Sequence, residues 1–260
     1  MGAAQVHPTA LVHPGARLAA GVSVGAYTVI GEHVEVGEGT WIGPHVVVEG
    51  RTRIGRDNRI YQFASVGAPP QDKKYQGEPT RVEIGDRNTL RENVTVNCGT
   101  VQGSGVTRLG NDNWIMAGVH FAHDCIVGSH SIFANLTGLA GHCEVGDWVI
   151  LGGVTMVHQF VRIGAHSLTS MGTYLSQDLP PYVTAAGNTA SPRGINAEGL
   201  RRRDFSADAI ARVRRAYRTL YRSGLALEDA RRELAAQGAE CPEVAVFSDF
   251  VAHSRRGIIR

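Results

Sequence analysis

The spacing of four histidines within one stretch of the chain suggests a chemical site: His120, His123, His142 and His158. The imidazole changes charge near neutral pH, so histidines grouped together could take up and release a proton during a reaction. Three imidazoles could instead bind zinc and leave one coordination position open. Which chemistry applies depends on how the fold arranges these residues.

The chain repeats with a period of six residues. Aliphatic side chains occupy every sixth position over the first quarter of the chain: Val6, Val12, Leu18, Val24, Ile30, Val36, Ile42, Val48, Ile54, Ile60 and Val66. A helix repeats roughly every 3.6 residues and an amphipathic strand every second residue, so neither explains this pattern. Hexapeptide repeats are typical of a parallel β-helix, whose stacked coils lie about 4.8 Å apart. The predicted fold class is therefore mainly β.

The period also predicts the domain boundaries. The β-helix is expected to cover residues 1–181, because Pro180 and Pro181 lack the N–H groups that a further coil would need. Two segments interrupt the period and are predicted to be loops, at about 68–83 and 99–108. A connector over 182–203 leads to a C-terminal helical domain over 204–260, which opens near Ser206, a typical N-cap residue. This domain is expected to cap the last coil.

A triangular coil of three hexapeptides places residues 18 apart on top of one another. His142 lies one residue beyond the position that stacks on His123, and His158 lies two residues before the position that stacks on His142. These three histidines are therefore expected near one edge of the prism, with His120 close by. Asp124 is expected to point away from His123, because adjacent strand residues face opposite sides.

The composition argues against several functional classes. The chain has 26 basic and 24 acidic residues, a formal net charge of +2, which does not indicate nucleic-acid binding. Its four cysteines lack CxxC spacing, which fits reduced thiols and a cytoplasmic location. The sequence shows no apolar run near the roughly 20 residues of a membrane span, and its N-terminus does not resemble a secretory signal.

Seven segments resemble, in order and spacing, the UDP-N-acetylglucosamine O-acyltransferase family: QDKKYQGEPTRVEIGDRN, GTVQG, HFAHDCIVG, LAGH, VHQFVRIGAH, QDLPPYV and GINAEGLRRR. The resemblance covers essentially the whole chain. It implies a left-handed parallel β-helix that assembles as a homotrimer, with active sites between subunits. It also implies transfer of a 3-hydroxyacyl group from acyl carrier protein to the 3-hydroxyl of UDP-N-acetylglucosamine, the first step of lipid A synthesis. No metal or organic cofactor is expected.

The resemblance assigns roles to individual residues. His123 matches the general base, and the backbone N–H of Gly141 matches the donor to the tetrahedral oxyanion. Further positions match residues that bind the substrates: Gln71, Asp72, Lys74, His120, His142, His158, Asn196, Glu198 and Arg202. Gln159 is expected in the same groove. Arginines on the helix after Ser206 are expected to meet acyl carrier protein, which is strongly acidic.

Two positions depart from the family pattern. Met171 stands where long-chain members carry glycine, and a bulky side chain at the end of an acyl groove should shorten that groove. Met171 is therefore expected to act as an acyl-chain ruler that favours a decanoyl-length donor. Asn97-Cys98 replaces a more usual basic pair, and the sequence offers no account of this change.

Other functions fit parts of the pattern. Hexapeptide enzymes include acetyl-CoA-dependent transferases and the gamma class of carbonic anhydrases, which bind zinc through three histidines. The N-acyltransferase of lipid A synthesis carries an additional N-terminal domain, for which a repeat that begins at Val6 is expected to leave no room. A scaffold or ice-binding β-helix would show a flat face of threonines and no group of histidines.

Overall fold

The structure is a computed structural model that describes residues 2–260. Short strands follow one another around a triangular prism, and successive coils pair in parallel. The predicted fold class, a left-handed parallel β-helix with C-terminal helices, is confirmed.

Three sheets form the faces of the prism. The first sheet contains β1 (Gln5–Val6), β4 (Ser23–Val24), β7 (Trp41–Ile42), β10 (Arg59–Ile60), β13 (Thr89–Leu90), β16 (Trp114–Ile115), β19 (Ile132–Phe133), β22 (Ile150–Leu151), β25 (Leu168–Thr169), β27 (Val183–Ala186) and β28 (Ser191–Ile195). The second contains β2 (Leu11–Val12), β5 (Val29–Ile30), β8 (Val47–Val48), β11 (Ser65–Ala68), β14 (Thr95–Asn97), β17 (His120–Phe121), β20 (Gly138–Leu139), β23 (Met156–Val157) and β26 (Tyr174–Leu175). The third contains β3 (Arg17–Leu18), β6 (Val34–Val36), β9 (Arg51–Ile54), β12 (Arg81–Ile84), β15 (Val106–Leu109), β18 (Ile126–Val127), β21 (Glu144–Val145) and β24 (Arg162–Ile163).

The strand register shows where extra residues enter the coils. Gln5 pairs with Ser23, which sets a regular coil of 18 residues. Longer coils occur where Arg59 pairs with Thr89 and where Thr89 pairs with Trp114. The additional residues leave the prism as loops over 69–80 and 98–105, both at the edge between the second and third sheets. We call this edge the site corner.

The aliphatic side chains that recur at every sixth position form the core. Ile42, Ile60 and Leu90 of the first sheet lie on successive coils and are fully buried. Each such side chain contributes roughly 1.5–3 kcal/mol through burial, provided that the neighbouring coils cover it. Val6 remains 42% exposed, because within residues 2–260 no coil lies above the first one.

Residues in the left-handed backbone conformation turn the chain at the prism edges. At the site corner these include Asp124 (φ 60°), His142 (φ 62°) and Phe160 (φ 65°). Non-glycine residues rarely adopt this conformation, so each one marks a position where the fold imposes the turn. Residues 18 apart therefore form vertical columns along each edge.

The β-helix extends beyond the two prolines that were expected to end it. The strand β27 follows Pro180-Pro181 and pairs in parallel with β25, with Leu168 opposite Thr184. The prolines are tolerated because they lie between strands at a turn, where Pro181 packs against Gly164. The chain then reverses, and β28 pairs with β27 in the antiparallel direction.

Helices follow the last coil. They are α1 (Ala197–Arg201), α2 (Ala207–Arg222), α3 (Leu227–Gly238) and α4 (Pro242–Ala252). Ser206 is the N-cap of α2, since its hydroxyl accepts from the N–H of Ala209 at 3.0 Å. The helix α2 contacts β28, the last strand of the first sheet. Among residues 2–260, none of the helices combines the length and the apolar character that crossing a bilayer would require.

Candidate active site

His123 and Asp124 form a hydrogen-bonded pair at the site corner. The Nδ1 atom of His123 lies 2.9 Å from Oδ2 of Asp124. The expectation that these side chains point apart was wrong, because Asp124 lies in a left-handed turn and not in a strand. A proton on Nδ1 that is donated to the carboxylate leaves Nε2 unprotonated, and a general base needs that lone pair.

The loop over 98–105 surrounds the Asp124 carboxylate with donors. Oδ2 accepts from the N–H and the hydroxyl of Thr100, at 3.0 and 2.7 Å, and Oδ1 accepts from the N–H of Gly105 at 3.1 Å. Burial alone would raise the pKa of Asp124, but the hydrogen bonds from Thr100 and His123 outweigh it, and the pKa lies below its ordinary value. Asp124 is therefore charged at neutral pH although it is buried.

Gly141 lies directly against the His123 ring. A Cβ atom on Gly141 would be 2.6 Å from Cε1 and 2.7 Å from Nε2 of that ring, so only glycine leaves it this space. Within residues 2–260, the N–H of Gly141 has no hydrogen-bond partner. An unpaired backbone donor beside an imidazole is the feature that an oxyanion site needs.

His142 is a diagonal neighbour of His123, one coil further along. The two rings meet edge to face with their centroids 4.9 Å apart, and His142 stacks on Phe160 at 4.4 Å. Burial and the nearby His123 lower the pKa of His142, while Asp124 and Asp72 oppose this shift in part. His142 is thus favoured in its neutral form near pH 7.

The other two histidines flank this pair. His120 lies on β17 in the second sheet, where Nδ1 lies 2.7 Å from the Thr95 hydroxyl, and burial lowers its pKa, with a smaller effect from His123. His158 lies further along the site corner and contacts Arg256 of the C-terminal segment at 2.8 Å. Gln159 is exposed beside it.

The loop over 69–80 carries Gln71, Asp72 and Lys74 and leaves from the same corner. Asp72 accepts from the N–H of Lys74 at 3.0 Å and is close enough to His142 to influence its pKa. Asn97 and Cys98 hold the base of the loop. The Asn97 amide donates to the Pro69 carbonyl at 3.1 Å, and the Cys98 thiol lies 3.4 Å from the Thr80 hydroxyl. The structure thereby shows what Asn97 and Cys98 contact, but nothing in it explains why this pair stands in place of basic residues.

Asn196, Glu198 and Arg202 lie at a different edge of the same chain, between the third and first sheets. Asn196 caps α1 by accepting from the N–H of Gly199, and its amide donates to the carbonyl of His166. Glu198 pairs with Arg202 at 3.1 Å. One chain therefore does not bring these residues to the histidines, and we call their edge the nucleotide corner after the role that the sequence resemblance predicts for them.

Met171 lies at the third edge, between the first and second sheets, and is 78% exposed. The outward face of the second sheet separates it from His123. On this face His120, Gly138, Met156 and Tyr174 follow one another on successive coils. Met156 is also exposed, so the face offers apolar surface between His123 and Met171.

A groove of 900 Å³ runs along the site corner. Asp124, His142 and Phe160 line one side, and the C-terminal segment with Ser254 and Arg256 lines the other. The sequence analysis did not predict the contact of Asp124 with His123 or that of Arg256 with His158. Counting in steps of 18 from Asp124 leads to His142 and Phe160, so the column could have been found, whereas Arg256 gave no such signal.

Potential ligand atoms of His123, Asp124 and His142 lie within 4.8 Å of one another, which raises the zinc alternative again. Both oxygens of Asp124 already accept hydrogen bonds, from Thr100 and Gly105 among others. A metal ion would have to displace these donors. The arrangement therefore fits proton transfer better than zinc coordination.

Comparison with known proteins gives consistent matches. Residues 178–259 match the family model described as UDP-N-acetylglucosamine O-acyltransferase, domain 2, and residues 33–68 and 107–141 match the bacterial transferase hexapeptide repeat. The acyl-[acyl-carrier-protein]–UDP-N-acetylglucosamine O-acyltransferase of Janthinobacterium sp. (strain Marseille) is 60% identical over 208 residues. That alignment covers 78% of this chain and 79% of the relative.

Solved structures match over nearly the whole chain. The UDP-N-acetylglucosamine acyltransferase of Francisella novicida has a TM-score of 0.97 at 39% identity, and the match covers 98% of this chain and 94% of that one. LpxA from Acinetobacter baumannii has a TM-score of 0.96 at 44% identity, with 98% and 99% covered.

Proposed function

The chain belongs to the UDP-N-acetylglucosamine O-acyltransferase family, and on this basis we propose the reaction that it catalyses. It transfers a 3-hydroxyacyl group from acyl carrier protein to the 3-hydroxyl of UDP-N-acetylglucosamine, the first step of lipid A synthesis. The observation that carries the mechanism is the His123–Asp124 pair packed against Gly141.

His123 acts as the general base. Its Nε2 atom takes the proton from the sugar 3-hydroxyl while the hydroxyl oxygen attacks the thioester carbonyl carbon. The charged Asp124 holds the proton on Nδ1 and stabilises the imidazolium that forms. When the C–S bond breaks, the imidazolium returns its proton to the departing thiolate, so the base is regenerated in each turnover.

Gly141 stabilises the tetrahedral intermediate. Its unpaired N–H lies beside the His123 ring and can donate to the oxyanion that forms when the carbonyl is attacked. Loss of one such donor typically lowers kcat about 10²–10³-fold. Glycine is needed at this position for a second reason, because any side chain would displace the base.

The sugar nucleotide requires residues from both corners. His120, His142, His158 and Gln159 position the sugar and the acyl chain, together with the loop residues Gln71, Asp72 and Lys74. The nucleotide is bound by Asn196, Glu198 and Arg202, whose guanidinium suits a diphosphate. Since one chain holds the two sets at different edges, we propose a homotrimer in which each site lies between two subunits.

The acyl chain lies along the outward face of the second sheet and ends at Met171. The exposed side chains of Met156 and Met171 supply apolar surface there. Because Met171 occupies space that glycine would leave open, we propose a decanoyl-length donor. Arg214, Arg215 and Arg218 are exposed on α2 and offer a basic surface to acyl carrier protein. The buried, unpaired cysteines fit a cytoplasmic location.

A transfer assay tests the function directly. The protein is incubated with UDP-N-acetylglucosamine and 3-hydroxyacyl carrier proteins of several chain lengths, as wild type and as His123→Ala. We expect transfer by the wild type and a loss of about 10²–10⁴-fold in the variant. Absence of transfer by the wild type would refute the function, and an active His123→Ala would refute only the base assignment. Metal analysis of the active protein by mass spectrometry tests the zinc alternative, which requires bound zinc.

A further inference from the structure

The C-terminal segment 253–260 is fixed to the last coil at the site corner. The N–H of Asp178 donates to the Gly257 carbonyl at 2.9 Å, and the N–H of Ile259 donates to the Asp178 carbonyl at 3.0 Å. The Ser254 hydroxyl donates to the buried Asp178 carboxylate at 2.7 Å. These contacts hold the segment beside His158, almost 100 residues away in the sequence.

Arg256 is the residue of this segment that reaches the site. Its Nη2 lies 2.8 Å from Nδ1 of His158, and its Nε donates to the Ser176 carbonyl at 2.9 Å. A guanidinium has donors and no acceptor, so Nδ1 of His158 must be the acceptor in this contact. The ring proton of His158 then resides on Nε2.

A competing contact would give the opposite tautomer. The Gln159 carbonyl lies 3.2 Å from the same Nδ1 atom. If Nδ1 carried the proton, it would donate to this carbonyl, and Nε2 would become an acceptor. Arg256 therefore decides which of the two forms the ring adopts.

We propose that Arg256 is a positioning residue that holds His158 as the Nε2–H tautomer. His158 thereby offers a hydrogen-bond donor, and not an acceptor, to an oxygen of the bound substrate. The role in catalysis rests on the proposed function, in which His158 contacts substrate, whereas the tautomer is a property of the free protein. The C-terminal segment thus completes the site corner although it contributes no group to the reaction itself.

The tautomer can be measured without substrate. The full-length protein is labelled with ¹⁵N in its histidines, and the His158 resonances are assigned by comparison with His158→Gln. We expect an unprotonated Nδ1 and a protonated Nε2 in the wild type, and a reversal or a mixture in Arg256→Met. A wild-type ring that is protonated on Nδ1 would overturn the proposal. This measurement stands even if the protein fails to acylate UDP-N-acetylglucosamine, so the two proposals can fail separately.

Kinetics tests the consequence. We expect Arg256→Met to lower kcat/KM roughly ten- to a hundredfold, the range for losing one hydrogen bond to substrate, and Arg256→Lys to recover part of it. Arg260→Met is the matched control, since Arg260 belongs to the same segment, is exposed and does not line the groove, and its side chain has no hydrogen bond within residues 2–260. Ser254→Ala controls for loosening of the segment, because it removes an anchor and leaves Arg256 intact. Unchanged kcat/KM in Arg256→Met, or an equal loss in Ser254→Ala, would overturn the catalytic role.

Discussion

Asp124 is the single residue on which the proposed proton transfer depends most after the base. Its hydrogen bonds keep its pKa below the ordinary value, so it is charged throughout the neutral range. The stability that this charge contributes is present above the unfolded pKa of about 3.9 and is lost as the pH falls through the lower folded pKa. Neither folding nor the charge of Asp124 is therefore expected to limit activity near pH 7.

Asp124→Asn tests this role. The amide can still accept from Nδ1 of His123, but it lacks the charge that stabilises the imidazolium, so we expect kcat to fall about 10²–10⁴-fold. Steady-state transfer measurements check the effect. Asp57→Asn is a matched control, because Asp57 is also a left-handed corner residue but is exposed and distant from the site corner. Equal activity in the two variants would argue against a role for Asp124.

Met171→Gly tests the acyl-chain ruler. Removing a side chain that is 78% exposed in the single chain should cost little stability. It should also leave space for a longer acyl chain at the end of the outward face of the second sheet. We expect the ratio of kcat/KM values in a competition assay to shift toward longer donors by roughly tenfold or more, as a few methylene groups are accommodated. A ratio that does not change would show that another residue sets the chain length.

At the scale of elements, the corner columns were only partly predictable. The period of six predicts the coils because each aliphatic side chain is buried by its immediate neighbours. It does not give the backbone angle at Asp124, and for that reason the pair with His123 was missed. The contact between Arg256 and His158 joins a periodic segment to an aperiodic one, so no repeat could reveal it.

A second column of stacked rings lies at the nucleotide corner, and its histidine should make the stability of the protein depend on pH. His166 lies between Trp148 and Tyr182, and burial, with help from Arg203, lowers its pKa to about 4. The unfolded chain binds a proton near pH 6.5, whereas the folded chain does so only near pH 4. Stability should thus fall as the pH drops through this window.

His166→Phe should remove this dependence. Phenylalanine is accepted at left-handed corners of this fold, as Phe160 shows, so the packing should survive. We expect the free energy of unfolding of the wild type to lose about 2 kcal/mol between pH 7 and pH 4 through His166, with allowance for its partial exposure, and the variant to lose that much less. Denaturant titrations at several pH values measure the difference. Parallel pH profiles for both proteins would contradict the prediction.

At the scale of the whole molecule, the separation of the two corners predicts complementation between subunits. His123→Ala damages the site corner and Arg202→Ala damages the nucleotide corner, so in the proposed homotrimer each variant alone should be strongly impaired. In mixed trimers one interface combines the two intact corners. Random mixing should therefore restore roughly a quarter of the wild-type sites. Activity that equals the sum of the separate variants would show that each site is built from one chain.

At the left-handed turns of the prism edges, the residue that would be most stable differs from the residue that the site needs. Each non-glycine residue there costs roughly 1–2 kcal/mol of backbone energy, and glycine avoids this cost at Gly39, Gly118 and Gly172 on the other edges and at Gly50 on the edge of the site corner. Asp124, His142 and Phe160 offer no such relief, since glycine would delete the side chains that form the site. Selection for a more stable protein should therefore introduce glycine at other left-handed turns first and leave these three turns unchanged.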